Sequence, residues 1–122
     1  MSPSIHFSYD KSIIQIKKND YRGMRDIKAV EKVTFPDIEI VENFEFTVVT
    51  ENGNFIFHFQ WFANRWNLWV TLPDGKKKQA SVYPNVISWT GNPDYGIVFY
   101  TPLQEIDFNS LFMTELYIIQ WL

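Results

Sequence analysis

From Phe44 to Leu72 hydrophobic positions recur at every second residue, the period of strands that turn one face to a core. In NFIFHFQWF, Phe55, Phe57, Phe59 and Trp61 fall on one face, and Ile56, His58, Gln60 and Phe62 on the other. In the following RWNLWVTL, Trp66, Leu68, Val70 and Leu72 share a face while Arg65, Asn67, Trp69 and Thr71 look away from it. With Ala63-Asn64 connecting them, the two runs predict a hairpin whose rings fill one side of a sheet. Upstream, Phe44, Phe46 and Val48 alternate with Glu45, Thr47 and Val49, and Glu51-Asn52-Gly53 supplies positive-φ turn chemistry before the aromatic strand.

Further strands are expected at short intervals. Pro73-Asp74-Gly75 turns the next corner, and Lys76 to Tyr83 offers a strand whose leading lysines suit a sheet edge. Val86 to Thr90 and Ile97 to Thr101 predict another hairpin around the loop 91–96, closed by Pro102. Asp107 to Thr114 reads as a turn or one short helix. The apolar run Glu115 to Leu122 is best satisfied by pairing back into the sheet. Ahead of Phe44 the pattern is weaker. Ile5 to Ile16 alternates loosely before the charged group Lys17 to Asp20, as an exposed strand and its turn would. The spacing of Met24, Ile27, Val30 and Val33 describes one or two helical turns, against which Gly23 and the short length weigh. Pro36-Asp37 then punctuates the chain. The expected organisation is an N-terminal arm or extension over 1–36 and a β-rich core over 37–122. The expected fold class is mainly all-β: a single antiparallel β-sandwich or small β-barrel with an N-terminal arm or short helix.

At 122 residues the chain has the size of one domain that buries a core without staples. An aromatic content of 18% is unlike a disordered tail, and a net charge of -3 points to no nucleic-acid partner. The chain has no cysteine, so thiolate metal sites, disulfides and cysteine nucleophiles are excluded. Neither a secretory leader nor an apolar run of membrane-spanning length is recognisable, so a soluble protein made in the cytoplasm is expected.

Candidate chemistry is sparse. Of the two histidines, His6 and His58, neither has a metal-ligand or acid-base companion at a recognisable spacing. Two carboxylate pairs, Asp37/Glu39 and Glu105/Asp107, would share a face if their segments were strands, the arrangement glycosidic cleavage uses; solvated edges explain them more simply. Nucleophile elbows, phosphate-cradling loops and dinucleotide fingerprints are all missing from the sequence. The expectation is a protein that is not an enzyme, with no catalytic residue, cofactor, metal or small-molecule substrate. Exposed aromatics on a sheet with nearby lysines, Trp61, Trp69 and Lys76 to Lys78, could stack bases or sugars. The lysines cluster at one turn instead of interleaving with the rings, which favours a core or protein-contact role for the aromatics.

From Phe44 onward the succession FEFTVVT, the turn ENGN, FIFHFQWF, RWNLWVTLPDGK, a proline-containing connection and the closing TELYIIQW resembles the phage baseplate plug family, small β-rich proteins of contractile-tailed bacteriophages. The likeness covers about two-thirds of the chain. It implies a structural virion component, made in the host cytoplasm and seated at the end of the tail tube in several copies. Its partners would be the baseplate hub and neighbouring tail proteins, with no nucleic acid or membrane involved. Trp61, Phe62 and Trp69 are the protein-contact candidates, as rings able to anchor an interface. The alternatives are a non-catalytic binding module for carbohydrate, oligonucleotide or an apolar ligand, and an immunity-type inhibitor of a partner enzyme.

Overall fold

A computed structural model describes residues 27–89 and 94–121. Eight strands occupy them: β1 (Ile27–Val33), β2 (Asn43–Thr50), β3 (Gly53–Phe62), β4 (Arg65–Thr71), β5 (Lys77–Ala80), β6 (Ser88–Trp89), β7 (Tyr95–Tyr100) and β8 (Glu115–Trp121). One antiparallel sheet has the order β2-β3-β4-β5, a simple meander, and the other has β1-β8-β7-β6. A single cluster of buried side chains draws on both, including Phe57, Phe59 and Leu68 from the first sheet and Ile97, Phe99, Leu116 and Ile118 from the second. The fold is therefore an all-β sandwich.

Register turns the alternation into packed rows. Phe44, Phe59, Leu68 and Ala80 lie side by side across the meander, and Phe46, Phe57, Val70 and Lys78 form the next row. Ring centroids of Phe44 and Phe59 stand 5.2 Å apart and those of Phe46 and Phe57 5.6 Å, both nearly parallel. Such cross-strand ring pairs stabilise a sheet beyond the area they remove from water. Phe59 meets Phe99 edge-on at 6.1 Å and Phe55 meets Tyr95 at 5.2 Å, which ties the two sheets together.

The turns are where the sequence placed them. Thr50 pairs with Gly53 around Glu51-Asn52. Gly53 has φ 123°, and a Cβ there would stand 2.7 Å from Pro73 Cβ, so both conformation and space call for glycine. Ala63 and Asn64 have φ 56° and 59°, the positive pair of a two-residue hairpin turn. Lys77 and Lys78 lie on the edge strand β5, as expected of lysines guarding an edge. Leu111–Met113 form the short helix, a single 3-10 turn.

Three expectations change. Ile27–Val33 is a strand paired antiparallel with β8, not a helix. The sandwich thus takes in seven residues that the sequence reading assigned to the extension. Val30 and Val33 look helically spaced because they serve opposite faces: Val33 joins the central cluster and Val30 a second one. That second cluster, with Val98, Tyr117, Ile119 and Trp121, lies on the other face of the β1-β8-β7-β6 sheet. The strand expected from Lys76 to Tyr83 ends at Ala80, because the chain leaves the meander to reach the other sheet. Asn85 fastens this crossing. Its N–H donates to Phe99 O at 2.7 Å, its Nδ2 donates to Thr101 O at 2.7 Å, and its Oδ1 accepts from Thr101 N at 3.1 Å. The exposed strand expected from Ile5 to Ile16, the charged group Lys17 to Asp20 and His6 lie outside the described residues.

Two measurements follow from this packing. Phe59→Ala removes a ring that touches both sheets and is expected to lower unfolding free energy by about 3–5 kcal/mol in denaturant titrations. Ala63→Asn keeps the turn while replacing a residue that tolerates positive φ poorly, and is expected to raise stability by about 0.5–1 kcal/mol in the same assay.

Candidate functional site

The outer face of the meander is a flat polar field with one indole. Glu45, His58, Trp69 and Gln79 form a row across all four strands, flanked by Thr47, Ile56, Thr71 and Lys77 on one side and Asn43, Gln60 and Asn67 on the other. His58 is half-buried there, with Nε2 2.6 Å from Asn43 Oδ1. That contact is a hydrogen bond between the ring and the Asn43 amide, and among the described residues the buried Nδ1 has no hydrogen-bond partner.

A second feature opens where β5 parts from β4. The two strands pair only from Leu68↔Ala80 to Thr71↔Lys77. Beyond Ala80 the chain diverges through Ser81, whose N–H donates to Ser88 Oγ at 2.7 Å. The gap left beside Arg65–Asn67 is a cleft of about 470 Å³. Buried Trp66, Ala80 and Ile106 line its inner part, and Asn64, Arg65, Gln79, Tyr83 and Glu105 form an exposed rim. Trp66 is held from beneath, since its Nε1 donates to Asp107 O at 3.0 Å and its indole stacks on Phe108 at 5.4 Å. Asp107 is fixed in turn by accepting from the N–H groups of Asn109 and Ser110 through Oδ1. The cleft wall is therefore rigid on the β4 side.

The three contact candidates do not form one surface. Phe62 and Trp69 stand on the outer face, whereas Trp61 has the parity of the core face, half-buried, with its ring edge-on to Trp66 at 5.3 Å and Phe108 at 5.5 Å. Phe62 is 68% exposed and pairs in register with Arg65 at the cleft. Trp69 is half-buried between His58 and Gln79. Tyr83, 58% exposed on the cleft rim, is a ring the sequence reading did not single out. Its signal was the Tyr83-Pro84 step at the end of an apparent strand, which marks where a chain stops pairing.

Neither carboxylate pair has the geometry its spacing suggested. Asp37 and Glu39 sit in the loop between β1 and β2, and Glu105 and Asp107 in the loop between β7 and β8, where Asp107 caps the turn. Among the described residues no group of three His, Cys, Asp or Glu side chains could hold a metal ion, and no helix is long and apolar enough to cross a membrane. No protein-family model, curated protein or solved structure matches the chain.

Among the described residues, one carboxyl is clearly perturbed. Glu31, on the edge strand β1, is raised above its ordinary value of 4.5, first by desolvation on burial and then by the nearby charge of Glu51. Below pH 4.5 the side chain is protonated whether the chain is folded or not, and stability is unaffected. As pH rises through that value the unfolded chain ionises first, so the native state loses stability until the folded group has ionised too. Glu31→Gln is therefore expected to raise the melting temperature at pH 7 and to leave it unchanged at pH 3.5. Glu51→Gln should give a smaller gain at pH 7 that shrinks in high salt. Thermal melts across pH check both.

Proposed function

We propose that this chain is a non-enzymatic assembly module that binds a partner protein through the end of the meander where β3 turns into β4 and β5 departs. One observation carries the reading. Two large rings, Phe62 and Tyr83, project into solvent from the neighbourhood of one cleft, at 68% and 58% exposure, on a sandwich whose other described rings are buried or half-buried. Keeping such apolar surface in water is unfavourable, and burying it against a partner recovers the difference. Aromatic residues and arginine are enriched at protein interfaces, and Arg65 stands beside Phe62 in the hairpin register.

The resemblance to baseplate plug proteins supplies a setting for such a module: a tail-tube end, with the hub and neighbouring tail proteins as partners. This setting rests on the residue pattern from Phe44 onward. In it the sandwich works by occupancy, as a stiff insert held by surface fit until the surrounding assembly rearranges.

Mass spectrometry of contractile-tailed particles purified from the host that produces the chain tests both parts. The chain is expected in intact particles. A Phe62→Ser/Tyr83→Ser double variant, folded by circular dichroism, is expected to be incorporated at least tenfold less, since each anchor is worth about 2 kcal/mol or more. Absence of the native chain from particles overturns the baseplate setting; equal incorporation of the variant overturns the use of this face.

A further inference from the structure

β4 is an interior strand over Leu68–Thr71 and an edge over Arg65–Asn67. Parity shows what that edge offers. Leu72 N–H donates to Lys76 O at 2.9 Å, so Leu72 turns its backbone groups toward the β5 side. In an antiparallel pair such residues alternate, which gives the same direction to Val70 opposite Lys78 and Leu68 opposite Ala80. Trp66 is next in the series. Its N–H and C=O point into the cleft, and among the described residues no strand stands opposite them. Unpaired main-chain groups on a strand edge are a template for another strand.

We infer that the open stretch of β4 takes up an extended segment of the partner protein as a short added strand. The inference rests on the assembly role proposed above and narrows it to a mode of recognition. The segment makes two main-chain hydrogen bonds with Trp66, giving its N–H to the Trp66 carbonyl and accepting from the Trp66 N–H. Its residue opposite Trp66 turns inward, toward buried Ile106 and half-buried Val82, and is therefore apolar and of modest size. The residues on either side turn to the outer face, beside Arg65, Asn67 and Gln79. Arg65 favours a carboxylate at one of them, because a guanidinium binds that group through charge-assisted bonds. The ligand is thus an extended polar–apolar–acidic stretch, because in an antiparallel pair the residue after the apolar one stands opposite Arg65. Tyr83 closes over it from the rim.

The probe is the blocked peptide acetyl-TTVDT-amide, titrated into the full-length ¹⁵N-labelled chain, beside the same peptide N-methylated at its valine and a TTVKT version. The acidic peptide is expected to shift the Trp66 backbone amide saturably, with a dissociation constant on the order of 1 mM. N-methylation removes the bond to the Trp66 carbonyl and should weaken binding at least tenfold; the lysine version should bind several-fold more weakly, a difference lost in Arg65→Ala. A stationary Trp66 amide, or equal binding of the N-methylated peptide, overturns the added strand. If that happens while Phe62→Ser/Tyr83→Ser still blocks incorporation into particles, the assembly reading stands without it. A saturable Trp66 response alongside normal incorporation of the double variant overturns the assembly reading alone.

Discussion

The seam of rings between the two sheets is the constraint on which the other features depend. Phe44, Phe57 and Phe59 occupy successive positions on facing rows, and Phe59 also touches Phe99 of the opposite sheet. A one-residue slip of β3 against β2 or β4 would turn Phe55, Phe57 and Phe59 to water and bring His58, Gln60 and Phe62 inward. The core thus fixes register, and register fixes which groups reach the outside. The row Glu45, His58, Trp69, Gln79 and the outward set of Phe62 are consequences of burying Phe57 and Phe59.

The same dependence sets the open edge of β4. To contribute to both sheets the chain has to leave the meander after β5 and cross to β6. Asn85, at φ 59°, secures that crossing by bonding to the backbone of Phe99 and Thr101. Asparagine accepts this conformation more readily than most residues, and its amide supplies a donor and an acceptor to a strand end that has no sheet partner there. The divergence between β4 and the departing chain starts at Ala80 because Asn85 has to meet Thr101.

How much of this was legible in the sequence depends on whether one face or two are buried. β2, β3 and β4 have one wet face, so alternation around Phe55, Phe57 and Phe59 disclosed strands, faces and turns alike. β7 and β8 are apolar on both faces, with Ile97, Phe99, Leu116 and Ile118 toward the central cluster and Val98, Tyr117, Ile119 and Trp121 away from it, so they read as a hairpin strand and a pairing run without their faces being assignable. β1 misled for a related reason. Val30 and Val33 are three residues apart on opposite faces, and register shifts between Ile27 and Ala29, which together imitate a helical spacing. The cleft could not be read at all, because it is made by residues distant in sequence, Arg65, Tyr83 and Ile106, that meet only after the chain has crossed between sheets.

An opening of this kind could be a mere by-product of topology, filled by water. What distinguishes this one is the chemistry around it. A by-product needs no large rings in solvent, yet Tyr83 stands on its rim and Phe62 pairs with Arg65 of its lining, while the edge strand β5 carries Lys77 and Lys78, and β2 presents Glu45 and Thr47 beside the exposed Val49. Charged or polar edge residues discourage strand addition, so the stretch of β4 bordered by rings and amides is better suited to the proposed addition than β5. The rigidity beneath it points the same way. Trp66 is locked by Asp107 and Phe108, so its N–H and C=O are held in strand geometry before any partner arrives. A preorganised edge loses little conformational freedom on binding, which is what would let a contact only a few residues long contribute usefully to the proposed assembly beside the flanking rings.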